Sequence, residues 1–586
     1  MNFSHITDYS AQIPIIREIR KVSKELKISV AILGDLCGPK IRNNGFKDRD
    51  SIPLQKGQVL QLKASTELGD ENTICMNTPQ IIKQLETEHR VLLDDGNISL
   101  RVLRRISEDT LEVEVLAGTE LKARKGINVP DIRVDIPALT EKDKRDAKFI
   151  WDQRLDFIAL SFVQRRQDVQ DLIDIMDQFR KEEEEKKKIY PPLGIPVDSL
   201  NDYDYDFLME EVKLSKDWRP MVVSKIEKPQ ALDEIDAIIE VSDAIMVARG
   251  DLGVECQLEK VPIVQKDLIR KVNGAEKPVI TATQMLESMI TNPVPTRAEV
   301  SDVANAVYDG TDAVMLSGEC AAGAYPIESV KMMSSICRNA EENINYMAKV
   351  ELDLIEKTGI NARRKKPSPF IDAIADSAVT AAEEANASAV IVYTESGDTC
   401  HMISKRSRSL NIIAITSSSN VYRKLTVLRG VHPILVNFNK KSNGSCGLNP
   451  DDIVNNNNQI IVNLLNQMNI SNDLLNTDAV LARTENEIMK RHPTWLSVGD
   501  KVVICAGYHA LLPGLCNTVK LSFFGDAIRT EKSKAYWKEN EYNWIRYEFY
   551  SESVKQTKRK SRILQNRMKK FLWFKPKIDK NKKIIY

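Results

Sequence analysis

The sequence predicts an α/β protein: a (β/α)8 TIM barrel interrupted by a small all-β insert and followed by a second α/β domain. Three observations carry that reading. Short apolar runs bounded by polar or small residues recur along the first 320 positions, the pattern of buried parallel strands. Helix-like stretches separate them, and strand–helix alternation repeated many times points to a closed barrel. The alternation breaks twice and then resumes from about Phe370.

The expected barrel strands are Ala31–Asp35, Phe157–Phe162, Met221–Ile226, Ala244–Arg249, Val279–Thr283 and Ala313–Ser317, with a stump of another at Asn2–Ser4. Pro262–Asn273, with proline at its start, and Ala298–Asp309 read as helices between them. Closure needs eight strands, so the first strand, its helix and most of the second are expected upstream. The barrel is assigned to residues 1–42 and 130–355. Residues 43–129 read as short strands with turns: Gln58–Leu62, Val91–Leu93, Ile98–Val102 and Leu111–Val115, the middle two joined by Asp94-Asp95-Gly96-Asn97. The second break, 181–217, opens with Lys181-Glu182-Glu183-Glu184-Glu185-Lys186-Lys187-Lys188 and reads as a solvated loop. In the second α/β domain, 370–525, the helix Ile374–Ala385 leads into strands Ala389–Tyr393, Ile412–Thr416, Pro433–Val436 and Val502–Ala506. The stretch around Asn455–Asn458 reads as an expanded surface loop.

Composition narrows the function class. The 586 residues carry 83 Lys plus Arg against 83 Asp plus Glu, with 42% hydrophobic and 28% charged, ordinary soluble globular usage. That excludes a mainly disordered chain, a collagen-like chain and a disulfide miniprotein. Nine cysteines are scattered without Cys-x-x-Cys, which argues against structural zinc and suits a reducing compartment. No run of 18 apolar residues spans a membrane. Charge balance argues against wholesale nucleic-acid binding. The last segment, 526–586, differs: residues 531–586 hold 17 Lys/Arg against 6 Asp/Glu, and Trp537, Trp544 and Trp573. A solvated extension, a patch for acidic surfaces and a helix packed on another subunit all remain open for it.

In a barrel of this kind the active site lies at the carboxyl ends of the strands. Those ends offer Asp35, Lys225 with Glu227, Gly250-Asp251, Thr283 and Ser317. Two carboxylates on consecutive strand ends, with no histidine nearby, suit Mg²⁺, which takes oxygen ligands and keeps water. A lysine two residues from one carboxylate is placed to neutralise a phosphoryl group in transfer. The bland alternative, buried ion pairs and strand caps, explains any one of these residues but not all of them on successive strand ends.

The motifs then become specific. Ser224-Lys225-Ile226-Glu227, Met246 through Val254 (MVARGDLGV), Ile280 through Met289 (ITATQMLESM), Pro295 through Ala306 (PTRAEVSDVANA) and Asp312 through Glu319 (DAVMLSGE) follow in order. Together with Asn2-Phe3-Ser4-His5, Asp35 through Arg42 (DLCGPKIR) and Lys125-Gly126-Ile127-Asn128, this strongly resembles pyruvate kinase over roughly residues 1–180 and 218–525. The resemblance implies a phosphotransferase of glycolysis that makes pyruvate and ATP from phosphoenolpyruvate and ADP. It implies Glu227 and Asp251 as Mg²⁺ ligands, with Mn²⁺ able to substitute, and the Gly250 backbone near the substrate carboxylate. Lys225 matches the lysine that stabilises the transferring phosphoryl group and the enolate left behind. Thr283 matches a substrate-contacting threonine that, with Ser317, helps deliver a proton to the enolate through water. Arg42 and Lys125 match nucleotide-phosphate contacts, and the all-β insert resembles the family's β-barrel lid.

Departures from the family pattern matter too. Asn2, Ser4, Asp35 and the Leu36 carbonyl match a K⁺ site, yet Lys40 stands where many K⁺-requiring members have Glu. Its ammonium is expected to replace the ion, so activity is expected without K⁺. The family's first strand and a phosphoryl-contacting arginine fall upstream of Asn2, so a truncated record of an active enzyme is preferred to a naturally shortened, silent homologue. In the second domain, the Thr394, Ser396, Gly397 and Thr399 loop before His401–Lys405 reads as an effector phosphate site or a plain helix cap. A homotetramer is expected by resemblance. Localisation defaults to the cytoplasm, organelle import being left open by the cut. Two other functions stay open: a silent scaffold or nucleic-acid binder acting through the tail, and another Mg²⁺-dependent enolate-forming barrel enzyme. The second would not need Arg42 and Lys125.

Overall fold

The computed structural model describes residues 1–26, 28–132, 137–189, 218–343, 369–407, 409–436, 477–507 and 516–527. They fall into two compact units, the first built on residues up to 343 with 404–409 and 418–433, the second on the rest. The Asn455–Asn458 stretch, residues 190–217 and the basic segment from 528 lie outside the described residues.

In the first unit six strands pair in parallel and in sequence order: Leu33–Asp35, Phe157–Leu160, Met221–Ile226, Ala244–Ala248, Val279–Ala282 and Ala313–Val314. All six expected strands are present, with ends within a few residues. Phe157–Leu160, Ala244–Ala248 and Val279–Ala282 are buried at every position, as a sheet covered on both faces requires. Helices follow the strands. Val261–Gly274 starts with Pro262 in its first turn. Arg297–Asp309 is closed by a reciprocal Thr296–Glu299 cap and ends at Gly310, whose φ of +97° suits only glycine comfortably. This is the architecture of a (β/α)8 barrel wall.

Two local expectations are corrected. Asn2–Ser4 is not a strand: Asn2 makes a single parallel bridge to Asp35, then Phe3–His5 turn as a 3-10 helix. Asn2 Oδ1 accepts the Ser4 amide at 2.9 Å, which bends the chain, and Phe3 is buried against Phe149. The charge run at 181–188 is not a loop, because the helix Arg166–Ile189 runs through it. Its inner face is anchored: Glu183 accepts from the Trp151 indole at 2.8 Å and from Arg154 at 2.9 Å.

The all-β insert forms a six-stranded sheet, ordered Thr73–Met76, Val59–Ala64, Thr110–Ala117, Ile98–Ser107, Arg90–Leu93 and Ile127–Asn128. A separate pair joins Ser51–Pro53 to Glu120–Lys122. Alternate residues such as Ile98, Leu100 and Val102 enter a core of the insert's own. Asp94, Asp95 and Gly96 all take positive φ and reverse the chain between Arg90–Leu93 and Ile98–Ser107. The second unit contains a sheet in which Ile412–Thr416, Ala389–Tyr393, Lys501–Gly507 and Cys516–Phe523 are neighbours in that order. The last strand, unforeseen in the sequence, is antiparallel and half exposed, so it lacks the continuous apolar run that marks its neighbours. No helix among the described residues is long and apolar enough to cross a membrane.

Candidate active site

Lys225, on the Met221–Ile226 strand, is the hub of the strand ends. Its ammonium lies 3.0 Å from Glu227 Oε1 and 3.1 Å from Asp35 Oδ1, and donates to Ser161 Oγ at 2.9 Å. Burial opposes the charge, but Glu227 and Asp35 outweigh it and hold the amine above the ordinary lysine range. Glu227 is buried, and its Oε2 accepts the Phe162 amide at 2.8 Å. Asp251 sits in the first turn of the short helix Arg249–Glu255. Burial raises its carboxyl, the Glu227 charge raises it further, and Lys40 and Lys225 pull it partway back. Three carboxylates therefore share two ammonium groups in a largely desolvated space.

Thr283 closes the next strand end. Its Oγ1 accepts the Gly250 amide at 2.6 Å and donates to the Ala282 carbonyl at 2.6 Å. Thr283 and Gln284 have φ of +69° and +54°, a left-handed pair of non-glycine residues that costs about 1–3 kcal/mol each. Ser317 begins the turn Gly318–Ala321, and its amide donates to Glu319 Oε2 at 2.8 Å. Glu319, fully buried, accepts the Leu286 amide on its other oxygen at 3.0 Å and so ties the Thr283 and Ser317 loops together.

Lys40 lines a small pocket with Gly126, Asn128, Phe162, Lys228, Asp251 and Glu255. Its loop can pass Phe162 because residue 38 is glycine: φ is +69°, and a Cβ there would sit 2.6 Å from the Phe162 ring. Three of the four groups matched to a K⁺ site already have protein partners. Asn2 Oδ1 holds the Ser4 amide, Asp35 holds Lys225, and the Leu36 carbonyl accepts Ser161 Oγ at 2.8 Å. Arg42 and Lys125 come together where the insert joins the barrel. Arg42 bridges to Gly126 and donates to the Arg124 carbonyl at 3.0 Å; Lys125 lies 2.6 Å from Asp94 Oδ1.

In the second unit, the loop after Ala389–Tyr393 turns back on itself. Gly397 N–H donates to Thr394 Oγ1 at 2.8 Å, and Ser396 Oγ donates to Asp398 Oδ2 at 2.9 Å. Glu395 accepts the Ser417 amide and hydroxyl, each at 2.9 Å, and burial raises its carboxyl. Thr399 is buried.

Sequence reasoning missed Ser161, Arg249, Glu255 and Glu319 as parts of the site. Ser161 lies at the end of an expected strand and Glu319 ends a matched motif, so position at a strand end was the available signal. For Arg249 and Glu255 the signal is tertiary. Glu255 accepts Asn128 Nδ2 at 2.8 Å and lies 3.3 Å from Lys228, contacts invisible in one dimension.

Comparison with known proteins agrees with the geometry. The pyruvate kinase barrel-domain family matches residues 1–190 and 209–330, and the pyruvate kinase alpha/beta-domain family matches 372–522. A pyruvate kinase from Methylorubrum extorquens is 35% identical over 509 residues, 87% of this chain and 88% of that protein. One from Bacillus licheniformis is 40% identical over 434 residues, 74% of this chain and 66% of that protein. The crystal structure of a pyruvate kinase from Cryptosporidium parvum matches with a TM-score of 0.69 at 32% identity, covering 89% of this chain and 90% of that one. Matched in both domains and along most of its length, the chain belongs to the pyruvate kinase family, the glycolytic phosphotransferases that pass the phosphoryl group of phosphoenolpyruvate to ADP.

Proposed function

We propose that the reaction runs at the carboxyl ends of the barrel strands with Lys225 as the group that carries it. The supporting observation is the Lys225–Asp35–Glu227–Asp251 constellation. The family uses a divalent metal ion, and here Mg²⁺, with Mn²⁺ able to substitute, is assigned to Glu227 and Asp251. The donor set fits: two carboxylates without thiolate or imidazole leave positions for water and phosphate oxygens. The raised Asp251 carboxyl beside Glu227 also marks a place where added positive charge is favourable. When bound, the ion supplies that charge to phosphoryl and enol oxygens.

The chain's own residues then divide the work. Lys225, held protonated, pairs with the phosphoryl group as its bond to the enol oxygen breaks and a bond to the ADP β-phosphate forms. It then balances the charge of the enolate left behind. Gly250 and Asp251 lie against the substrate carboxylate. Thr283 contacts the substrate and, with Ser317, passes a proton through water to the enolate's methylene carbon, giving the methyl group of pyruvate. Arg42 and Lys125 hold the nucleotide phosphates, and the insert 43–129 closes as a lid that excludes water. Lys40 replaces the K⁺ that Asn2, Ser4, Asp35 and Leu36 would otherwise hold; its support is that it lines the same pocket as Asp251 and pulls that carboxyl back down.

A phosphorylated effector of low charge is assigned to Thr394, Ser396, Gly397 and Thr399, because Glu395 and Asp398 flank them. A homotetramer in the cytoplasm completes the reading. The test is pyruvate formation from phosphoenolpyruvate and ADP with Mg²⁺, in K⁺ and then in a large organic cation. Turnover in both, lost in Lys225→Met, is the expected result. Activity that collapses without K⁺ would remove the role given to Lys40.

A further inference from the structure

The least explained feature of the site is the left-handed backbone of Thr283 and Gln284. Such a pair persists only where its surroundings over-determine it, and the surroundings here converge on one side chain. Arg249 is 11% exposed. Its Nη2 donates to the Thr283 carbonyl at 2.8 Å and its Nε to the Ala282 carbonyl at 3.3 Å. The guanidinium thus grips both peptide units flanking the Thr283 Cα. It also reaches the Met285 sulfur. Nη1 is anchored behind, by Asp302 at 2.7 Å and Gln265 at 3.3 Å. All five N–H groups of the fork therefore have an acceptor, and three of those acceptors lie in the Ala282–Met285 turn.

The same residue directs the threonine hydroxyl from the other side. Arg249 immediately precedes Gly250, whose amide donates to Thr283 Oγ1. Gripping the carbonyls with the side chain and the hydroxyl with the next amide leaves the Thr283 side chain little freedom to rotate or translate.

We propose that Arg249 is a positioning residue for phosphoryl transfer, holding the Thr283 hydroxyl at its place in the site through the carbonyls of Ala282 and Thr283. The inference rests on the role given to Thr283 above. Lysine cannot take over, because a single ammonium on a shorter reach cannot fork to two carbonyls while staying paired with Asp302. Without the grip, the Ala282–Met285 turn relaxes toward ordinary backbone angles and carries Oγ1 away from the Gly250 amide. Binding of phosphoenolpyruvate, carried by charged groups, changes little, whereas the step that needs the hydroxyl slows.

A double-mutant cycle on the full chain tests this: wild type, Arg249→Lys, Thr283→Val and the double variant, assayed at saturating ADP and Mg²⁺. Arg249→Lys is expected to lower kcat by about 10–100-fold, the size of a misplacement near 1 Å, with the KM for phosphoenolpyruvate within about threefold. The double variant is expected within about twofold of Thr283→Val alone, because residues acting through one another are not additive. Asp302→Asn, which removes the anchor but leaves the carbonyl contacts, should lower kcat less, and that loss should also vanish in the Thr283→Val background. It carries the cycle if Arg249→Lys does not fold. An additive cycle beside a slow Thr283→Val overturns the role of Arg249 alone. A Thr283→Val enzyme with wild-type kcat overturns the reading of Thr283, and this inference with it. An Arg249→Lys enzyme whose only change is a lower melting temperature leaves Arg249 a purely structural residue and also overturns the proposal.

Discussion

Two strand-to-helix loops, one in each unit, solve the same geometric problem in opposite ways. After Val279–Ala282 the chain turns through Thr283 and Gln284 at positive φ, and the groups that hold it come from far away: Arg249 and Gly250 from one strand end, Glu319 from another. After Ala389–Tyr393 the turn uses Gly397, at a φ of +96°, and its hydroxyls pair within six residues, Thr394 with Gly397 and Ser396 with Asp398. The second loop is at ease with its own sequence. The first is held in a shape it would not choose, which lets a barrel present a threonine hydroxyl and several like charges at one point.

The electrostatics follow the same division. Around Lys225 the carboxylates outnumber the cations, and Asp251 has its proton affinity raised by burial and by Glu227. In the second loop, Glu395 is answered by the amide and hydroxyl of Ser417.

The sharpest way to break the comparison is at Lys225. Lys225→Met should lower kcat by about 10³-fold or more in a coupled pyruvate assay, on the scale of removing a charge that meets the transferring group. A loss below tenfold would make the constellation a structural ion pair. Metal comes next. Chelation should abolish turnover and Mg²⁺ or Mn²⁺ restore it. Glu227→Gln should raise the Mg²⁺ needed for half-maximal rate by at least the 10–100-fold, roughly, typical of lost outer-shell partners. Unchanged Mg²⁺ dependence would take Glu227 out of the metal site.

Smaller effects separate the two backbones. Gln284→Gly should raise folding stability by about 1 kcal/mol, since glycine takes positive φ freely, and Gly397→Ala should lower it by about the same amount. Denaturant titration of each variant reads both, and equal signs would erase the contrast. The smallest effect is a pH dependence at Glu395. Burial raises its carboxyl in the fold, so the folded chain keeps the proton longer than the unfolded one. The stability this contributes is present below the ordinary glutamate range and is lost as pH rises through the raised value. Glu395→Gln should therefore lose less stability than wild type on going from acid to neutral pH. Parallel curves would mean the carboxyl titrates as in water.

Much of this was legible in one dimension, for identifiable reasons. Three of the barrel strands, Phe157–Leu160, Ala244–Ala248 and Val279–Ala282, are buried at every position and appear as apolar runs, and the strand ends are where Asp35, Lys225, Asp251, Thr283 and Ser317 sit. The insert's alternating strands and its Asp94–Gly96 reversal follow from local side-chain and turn chemistry. Where reasoning failed, the deciding partner was remote. The charge run at 181–188 became helix because Glu183 meets Trp151 and Arg154. The strand Cys516–Phe523 went unseen because a half-exposed edge carries no continuous apolar signal.

By itself, then, the sequence determined the alternation of strands and helices, the order of the motifs and the chemical kinds of group at each strand end, because periodicity and residue type act locally. Only the tertiary structure decided which of those groups share a proton balance and which backbone is held out of its preferred shape. Lys225 meets Asp35 across 190 residues, and Arg249 grips the Ala282 and Thr283 carbonyls more than 30 residues away. Desolvation and constraint of this sort arise when distant segments pack, and no window of sequence contains them.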